Sequence, residues 1–487
     1  MEYKWKAFSV TAVGTMMAAI DATIVLLALV PIAGDLAAGY VTIVWVVIAY
    51  LLATTAFILS FGRMSDLYGR KRMYNLGFVV FTIGSALSGF ATDGTSLVVF
   101  RAIQGVGAAL LTANSFAILS DAFPRDERGR AFGAVSVIWG IGSVVGIILG
   151  AAIITVTTWR AIFWINIPIG ILGTLWAYRA LREVRAPASA GESFDLPAAV
   201  LFTGGLTSLL FGVTWGLLSS WTDPVTLVSI GLAVPIFGAF LLWEARYSPA
   251  PILELGIFRE RLFASAVSAS LFQSMATFSV NFLLVFYLEG IYGLSILESS
   301  YLILPYAIAV AIFGPLGGRL VDRHGARRIA LLGLSLQILS LGSLAFLTPG
   351  TPIALLGLVE TIFGIGGGLF WPANTSMVMT NSPRGQYGVG SGILGTFRNT
   401  GMVLSFAVGL IAVTATMPAT LVYRLFLGTF VGTLSPGEAL QYLRGQAVAF
   451  GLGLLLLGLS LAMTYRAAHP ARAPSGGGST RPTVVPR

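Results

Sequence analysis

Four ionisable side chains lie inside long apolar runs of this sequence: Asp21, Arg101, Glu360 and Arg398. A charged group in the middle of a membrane span costs roughly 2.5–3.5 kcal/mol on insertion scales, so each of them is a candidate functional group. A carboxylate in such a place can bind and release a proton, and a nearby arginine can pair with it. We therefore expect Asp21 to bind and release a proton beside Arg101. Glu360 is the competing proton carrier, or an anionic partner for cationic ligands.

Helix geometry places three of these groups at similar depths. At 1.5 Å per residue, Asp21 lies ~14 Å, Arg101 ~8 Å and Glu360 ~12 Å below the outer ends of their spans. They are therefore expected to share one cavity. A static ion pair between Asp21 and Arg101 is the structural alternative.

Other polar and aromatic side chains inside spans are candidates for substrate contact: Gln104, Asn374, Arg398, Phe282 and Trp371. The amides are equally suited to hydrogen bonds between helices. Helix packing is an equal alternative for Arg398, and rings in a membrane protein are more often lipid or helix contacts. The five residues form a predicted substrate set.

Composition excludes several classes of function. Of 487 residues 56% are hydrophobic and 10% are charged, far from the values of soluble domains, so the whole chain is expected to lie in a membrane. The absence of cysteine excludes thiolate zinc sites and cysteine nucleophiles. The two histidines, His324 and His469, are too far apart in sequence to form an HExxH zinc motif. None of the three lysines stands in a Walker-type ATP-binding loop. We expect no metal, no cofactor and no enzyme active site, with a proton gradient as the energy source.

Apolar windows broken by charged or Gly/Pro-rich turns predict fourteen helical spans. They are 8–30, 41–61, 73–91, 96–119, 131–154, 161–181, 196–217, 224–243, 263–288, 297–316, 329–347, 352–375, 389–416 and 447–465. The predicted units are a six-helix bundle at 1–182, an inserted helix pair at 195–245, a second six-helix bundle at 262–466 and a disordered cytoplasmic tail at 467–487.

The basic residues predict the orientation. All but five of the 29 lie in alternate loops and at the termini; the exceptions are Arg160, Arg424 and Arg444 on the opposite side and Arg101 and Arg398 inside spans. The positive-inside rule then places both termini of this multi-pass protein in the cytoplasm. The net charge of +9 therefore reflects membrane topology, and no nucleic-acid partner is expected.

Two halves of the chain repeat each other. Gly62-Arg-Met-Ser-Asp66-Leu-Tyr-Gly69-Arg70-Lys71-Arg72 and Gly318-Arg-Leu-Val-Asp322-Arg-His-Gly325-Ala-Arg-Arg328 both fit GxxxDxxGxxR. Arg101-xxx-Gly105 aligns with Glu360-xxx-Gly364, which makes Arg101 and Glu360 equivalent positions. Transporters built from such repeats place substrate near the bilayer midplane, between the halves. The helix pair between the halves has no counterpart and is interpreted as an insertion.

Three sequence motifs resemble those of a known family. The loop 62–72, the run Asp21-Ala-Thr-Ile-Val25 in the first span, and Trp159-Arg160 with Phe163-Trp-Ile-Asn-Ile-Pro-Ile-Gly170 resemble motifs of the major facilitator superfamily. Within it, the chain is similar to the fourteen-span drug/proton antiporters over about residues 8–465. The resemblance implies two six-helix bundles related by an internal repeat, with two inserted helices.

The resemblance also implies roles for single residues. Arg101-Ala-Ile-Gln104-Gly105 resembles the motif associated with proton coupling. Gly142, Gly146 and Gly150 resemble the antiporter motif, although Ile147 and Ala151 depart from it. Their spacing of four would let another helix approach closely.

A cytoplasmic latch is the third implied feature. By resemblance, Asp66, Arg70 and Asp121 would hold the outward-open state, with the loop residues Gly62, Gly69, Lys71 and Asp322 in the same gating set. In the second half, Ala326 stands at the position that corresponds to Arg70. The latch is therefore expected to be stronger in the first half. The alternative is that the basic cluster only fixes topology.

These inferences predict a monomeric transporter of the bacterial or archaeal cell membrane. Proton influx would drive the export of small amphipathic or cationic compounds, as in multidrug exporters. The main alternative is a dedicated transporter of one metabolite, lipid or siderophore on the same scaffold. A membrane enzyme or receptor is a remote third possibility.

Overall fold

The computed structural model describes residues 2–184, 194–248, 251–253, 255–382, 386–426 and 432–466. Every regular element in this part of the chain is helical, which confirms the all-α prediction. Residues 185–193, between the predicted first bundle and the predicted inserted pair, and the predicted disordered tail 467–487 lie outside the described residues.

The described residues form sixteen α-helices. Those of the first half are α1 Tyr3–Asp35, α2 Tyr40–Tyr68, α3 Arg70–Gly89, α4 Gly94–Ala122, α5 Arg128–Val156, α6 Ala161–Trp164 and α7 Asn166–Ala180. The inserted pair is α8 Leu196–Leu218 and α9 Pro224–Arg246. Those of the second half are α10 Arg261–Tyr292, α11 Ile296–His324, α12 Ala326–Leu344, α13 Ile353–Asn381, α14 Tyr387–Thr414, α15 Ala419–Phe426 and α16 Pro436–Arg466.

Thirteen membrane-length apolar segments occur in the described chain. The segment absent from that set is α3, a helix of 20 residues in which Arg72, Asn75 and several glycines and serines lower the mean hydropathy. The prediction of fourteen spans therefore stays a prediction.

Most helices extend beyond the predicted spans at one or both ends, and three further features differ from the sequence prediction. The predicted span 161–181 consists of two helices, α6 and α7, which meet at Ile165. The additional helix α15 occupies the predicted loop before the last span. The last helix begins at Pro436 rather than at 447, because Ser435 caps it: its Oγ accepts from the Glu438 N–H, while Glu438 accepts from the Ser435 N–H.

The signature loops are tight turns that need glycine. Gly69 separates α2 from α3 with φ +106°, and Gly325 separates α11 from α12 with φ +87°. Residues with a Cβ rarely adopt this region, whereas glycine enters it freely. The repeated glycine of the GxxxDxxGxxR pattern is thereby explained by backbone geometry.

The two halves meet along two seams, α2 against α14 and α5 against α11. Backbone touches backbone in both seams. A Cβ on Gly62 would lie 2.4 Å from the Gly388 carbonyl oxygen, and one on Gly318 would lie 2.3 Å from that of Gly129. The two crossings are related by the internal repeat, so the halves share one mode of contact.

The inserted pair packs on the outside of one seam only. The α8 hydroxyl of Thr203 donates to the Ala56 carbonyl on α2 at 3.1 Å, and the rings of Phe211 and Trp45 lie 5.1 Å apart. Helix α8 also packs against α14. The α2–α14 seam is therefore covered by an extra helix, and the covering pair contacts both halves.

Within the first half, α5 packs closely on α1 through its spaced glycines. A Cβ on Gly142 would lie 2.8 Å from the Ala19 Cβ, and one on Gly146 would lie 2.7 Å from the Ile20 carbonyl oxygen. Gly150 faces Ile24 in the same way, at 2.9 Å from Cγ1. The three glycines therefore set the distance between α1 and α5.

We predict that Gly146→Leu lowers the thermal unfolding midpoint of the detergent-solubilised protein, because the new side chain must push α1 away from α5. Overpacking of this kind costs about 1–3 kcal/mol. Gly231→Leu on α9 is the matched control, since nothing lies within 4 Å of its Cβ position. Equal midpoints for the two variants would contradict the close α1–α5 contact.

Candidate functional site

A buried carboxylate stands at the centre of the first half. Asp21 on α1 is fully buried, and its two oxygens accept three hydrogen bonds. Arg101 Nη1 donates to Oδ2 at 2.7 Å, while Gln104 Nε2 and Asn166 Nδ2 donate to Oδ1 at 2.8 and 3.2 Å. This donor set matches the ionised form of the carboxyl group.

Arg101 is held in place independently of Asp21. Its Nε donates to the Val46 carbonyl at 3.2 Å, and its Nη1 donates to Gln104 Oε1 at 2.6 Å. Its guanidinium lies 4.3 Å from the centre of the Tyr50 ring. The arginine can thus keep contacts of its own when the charge on Asp21 changes.

A second layer of hydrogen bonds fixes the amide donor from α7. Asn166 Nδ2 also donates to Ser85 Oγ at 3.0 Å, and that hydroxyl donates to the Phe163 carbonyl at 2.8 Å. The network therefore joins α1, α2, α3, α4, α6 and α7. The sequence prediction placed Asp21, Arg101 and Gln104 correctly in spans. It assigned no role to Tyr50, Ser85 or Asn166. For Asn166, the signal available in the sequence was its position in the motif of residues 163–170.

The remaining predicted site residues lie outside this network. Glu360 on α13 is buried, and within the described chain neither of its oxygens has a hydrogen-bond partner. Asn374 is likewise buried without a partner for either amide atom. The guanidinium of Arg398 lies 5.8 Å from the Trp371 ring, and the Phe282 ring lies 4.4 Å from that of Phe286.

The predicted gating residues meet at the end of α2. Asp66 accepts from the backbone N–H groups of Gly388 and Val389, both at 2.9 Å, at the first turn of α14. Arg70 Nη2 donates to Asp66 at 2.9 Å, and Arg70 also pairs with Asp121 at the end of α4. A carboxylate of one half thus caps a helix of the other half.

The second half makes the equivalent contact in the opposite direction. Asp322 accepts from the backbone N–H groups of Gly129 and Arg130, both at 3.1 Å, at the start of α5. Ala326 stands where Arg70 stands in the first half. Lys71, at the start of α3 in the first half, has its Nζ 4.8 Å from the centre of the Tyr178 ring.

Residues 11–406 match the family model described as Major Facilitator Superfamily. The chain is 32% identical over 354 residues to the riboflavin transporter RibZ of Clostridioides difficile strain 630, covering 72% of this chain and 76% of that protein. It is 34% identical over 337 residues to the multidrug resistance protein Stp of Mycobacterium tuberculosis strain CDC 1551, covering 69% of this chain and 62% of that protein. The human organic anion transporter TETRAN has a similar fold, with a TM-score of 0.65 and 16% identity over 94% of this chain and 99% of that one.

We predict that Arg101→Met lowers the free energy of unfolding by about 3–5 kcal/mol, because it leaves a buried carboxylate without its counter-charge. Adding Asp21→Asn to that variant is expected to restore part of the loss. Chemical denaturation in detergent micelles measures both changes.

The control for this pair is Arg160→Met. Arg160 pairs at 2.5 Å with the half-exposed Asp35, and together with Trp159 it holds the pKa of Asp35 below its ordinary range. Because water screens this pair, its loss should matter far less. Equal losses for Arg101→Met and Arg160→Met would contradict the buried-charge interpretation.

We also predict that Asp66→Ala opens the α2–α14 seam. The chain contains no cysteine, so a single Ser391→Cys on α14, where the serine is 1% exposed, reports access to the seam. Its labelling rate by a membrane-impermeant thiol reagent should rise roughly tenfold, which corresponds to about 1.4 kcal/mol of lost capping.

Asp223→Ala is the matched control for the seam experiment. Asp223 caps α9 through the Val225 N–H at 2.8 Å. Its removal should leave the labelling of the introduced cysteine unchanged. A rate that does not respond to Asp66→Ala would show that the cap does not hold the seam closed.

Proposed function

Because the chain belongs to the major facilitator superfamily, we propose that it is a secondary transporter in which proton influx drives the export of small amphipathic or cationic compounds. The observation that carries this proposal is the Asp21 site. A carboxylate buried in a membrane span, with its arginine partner anchored to other groups, can gain and lose a proton without dismantling its surroundings.

Packed helices connect the Asp21 site to the contacts that Asp66 and Asp322 make between the two halves. Asp21 lies on α1, which touches α5 through the three spaced glycines, and the first turn of α5 is capped by Asp322 of the second half. Neutralising Asp21 weakens its pull on Arg101 and frees α1 to shift against α4. A shift of α1 then moves α5 and strains the packing of α5 against α11.

The engaged caps support an assignment of the conformational state. Asp66 and Asp322 both hold helices of the opposite half, and these contacts lie beside the basic loops predicted to be cytoplasmic. We assign this arrangement to a transporter closed on the cytoplasmic side. Cargo release to the outside would occur in this state.

The two ion pairs of Arg70 support a topology of fourteen spans if α2 and α4 both cross the membrane. Arg70 binds Asp66 at the end of α2 and Asp121 at the end of α4, so both helices end on the same side. The chain must cross back between them, and α3 is the segment available; at ~1.5 Å per residue its 20 residues reach ~30 Å. Both termini are then on the same side, which the basic residues assign to the cytoplasm. We propose a monomer in a bacterial cell membrane.

The named relatives keep a second function open. One relative is described as a multidrug resistance protein and another as a riboflavin transporter. The first description supports broad export, and the second supports a dedicated carrier of one metabolite on this scaffold. Substrate breadth separates the two, because only a broad exporter would move unrelated lipophilic dyes.

We predict that inverted vesicles carrying the protein accumulate a fluorescent lipophilic cation when a pH gradient is imposed, and that Asp21→Asn abolishes this dependence. The amide keeps the size of the side chain but cannot exchange a proton. The measurement is dye uptake with and without a protonophore.

Asp35→Asn is the matched control, since Asp35 also lies on α1 but outside the buried network. It should retain gradient-driven uptake. Uptake that ignores the gradient in the unmodified protein, or that persists in Asp21→Asn, would contradict proton coupling through Asp21.

A further inference from the structure

An apolar groove of about 290 Å³ runs between α3 and α7 on the surface of the first half. Only these two helices line it, through Val79, Thr82, Ile83, Ile171, Thr174 and Leu175. Its four aliphatic side chains are between 40% and 52% exposed, so the groove is open. In a membrane-spanning bundle, an open groove between two helices faces lipid.

The two threonines of the groove keep their hydroxyl protons within their own helices. Thr82 Oγ1 donates to the Phe78 carbonyl and Thr174 Oγ1 donates to the Gly170 carbonyl, both at 2.7 Å. A polar ligand would lose its hydration in the groove without gaining a hydrogen bond from either proton. The groove is therefore suited to an acyl chain.

The repeat-related helices α12 and α16 show what fills this position in the other half. Lys71 Nζ lies 4.8 Å from the centre of the Tyr178 ring on α7, and the Arg327 guanidinium lies 4.9 Å from the centre of the Tyr465 ring on α16. Each basic residue is the second of its helix. These contacts align α3 with α12 and α7 with α16.

A second contact agrees with this register. Asn166 Nδ2 donates to Ser85 Oγ at 3.0 Å, and these two residues correspond to Gly453 and Leu341. A Cβ on Gly453 would lie 2.9 Å from Leu341 Cδ2. The two helix pairs therefore cross at equivalent positions.

The second half has larger apolar side chains where the first half has threonine. In the same register, Thr82 corresponds to Ile338 and Thr174 corresponds to Leu461. Ile338 and Leu461 are partly buried and pack against the core of the second half. The space between α3 and α7 is thus a feature of the first half that the repeated frame does not require.

Basic side chains gather at one end of the groove. Lys71 and Arg72 begin α3, Arg179 lies in the last turn of α7, and Arg182 follows it. Glu183 stands at the same end, where it accepts from the Lys71 backbone N–H at 3.1 Å and lies 3.7 Å from Arg72. Among the residues that the structure describes, no carboxylate forms an ion pair with the Lys71 or Arg179 side chain. This end therefore carries excess positive charge, which is complementary to an anionic headgroup.

The groove lies at the depth of an acyl chain. On α7, Leu175 precedes Arg179 by one turn, or ~6 Å; on α3, Ile83 follows Lys71 by ~18 Å. One leaflet contributes about half of the ~30 Å hydrocarbon core. The groove thus extends from the basic end through about one leaflet, which matches a phospholipid whose phosphate stands at that end.

We propose that this groove binds one acyl chain of an anionic phospholipid, whose phosphate group lies between Lys71 and Arg179. The lipid comes from the leaflet on the side of the basic loops. It joins α3 to α7, which supply Ser85 and Asn166 to the network around Asp21. This site is separate from the transport function proposed above, and neither proposal depends on the other.

Lipid binding to purified, delipidated protein in detergent tests the site. Dioleoyl phosphatidylglycerol is the anionic probe, dioleoyl phosphatidylcholine is the zwitterionic probe with the same chains, and native mass spectrometry counts the bound molecules at each concentration. The unmodified protein should bind one phosphatidylglycerol more tightly than it binds phosphatidylcholine. Combining Lys71→Gln with Arg179→Gln should weaken phosphatidylglycerol binding about 30-fold and phosphatidylcholine binding less than about twofold.

Thr174→Leu tests the acyl-chain part of the site. It introduces the residue type of the equivalent Leu461 and should weaken the binding of both lipids about fivefold, because both carry the same chains. Thr361→Leu on α13 is the matched control, since the Thr361 hydroxyl also donates to a glycine carbonyl one turn earlier, that of Gly357 at 2.7 Å. It should leave both affinities unchanged. Val79→Phe, which fills the groove from α3, replaces Thr174→Leu if that variant does not fold.

Two further double variants separate the site from a general attraction to basic surfaces. Arg246→Gln with Arg466→Gln removes two exposed basic groups, at the ends of α9 and α16, and should leave phosphatidylglycerol affinity within about twofold. Lys71→Arg with Arg179→Lys keeps both charges and should retain the affinity. Variants are compared only with an unchanged unfolding midpoint in the absence of lipid, and the single variants Lys71→Gln and Arg179→Gln replace the double variant if it does not fold.

Three results would overturn the proposal: phosphatidylglycerol bound no more tightly than phosphatidylcholine, equal losses for the Lys71/Arg179 and Arg246/Arg466 glutamine variants, or unchanged binding when the groove is filled. The assay contains no pH gradient and no transported compound. Its outcome is therefore independent of proton coupling through Asp21.

Discussion

A carboxylate buried inside a membrane span has to be matched by donors, and the Asp21 site is organised around that constraint. Three side chains from two helices donate to its oxygens, and the arginine among them is anchored to a carbonyl and a tyrosine ring on a third. Every helix of the first half except α5 contributes to this network. The electrostatics of one residue therefore influence the arrangement of a whole bundle.

The close approach of helices transmits that arrangement to the seams. Glycine removes the side chain where α5 crosses α1 and where α2 and α11 cross helices of the opposite half. At each seam a carboxylate then reaches the free N–H groups of a helix start, which are donors with no partner inside their own helix. Close packing and capping thus act at the same places, and both must be released for the seams to open.

The halves repeat in backbone and differ in charge. Equivalent crossings at Gly105 and Gly364 carry Arg101 in one half and Glu360 in the other, so the same frame holds a basic side chain in one half and an acidic side chain in the other. The inserted pair adds a second asymmetry, because α8 covers the α2–α14 seam and contacts both halves. The repeated scaffold therefore has two different seams, one covered by α8, and two different polar cores.

Much of this protein could be predicted from residue types and spacing alone. Apolar length, the placement of arginines and the repeated GxxxDxxGxxR pattern predicted a helical membrane protein with duplicated halves, because insertion energy and turn geometry act locally along the chain. Asp21, Arg101 and Glu360 could be singled out for the same reason, since an ionisable group in an apolar run is costly wherever it ends up.

Only the tertiary structure decided which of those groups meet. Asn166 and Tyr50 contact the Asp21–Arg101 pair, whereas Glu360 makes no hydrogen bond to it among the described residues, because partners from different helices depend on how the helices cross. Hydropathy also did not predict the break between α6 and α7 or the early start of α16, because it contains no information about helix caps or helix junctions. Sequence determined which residues must find partners; packing determined which partners they found.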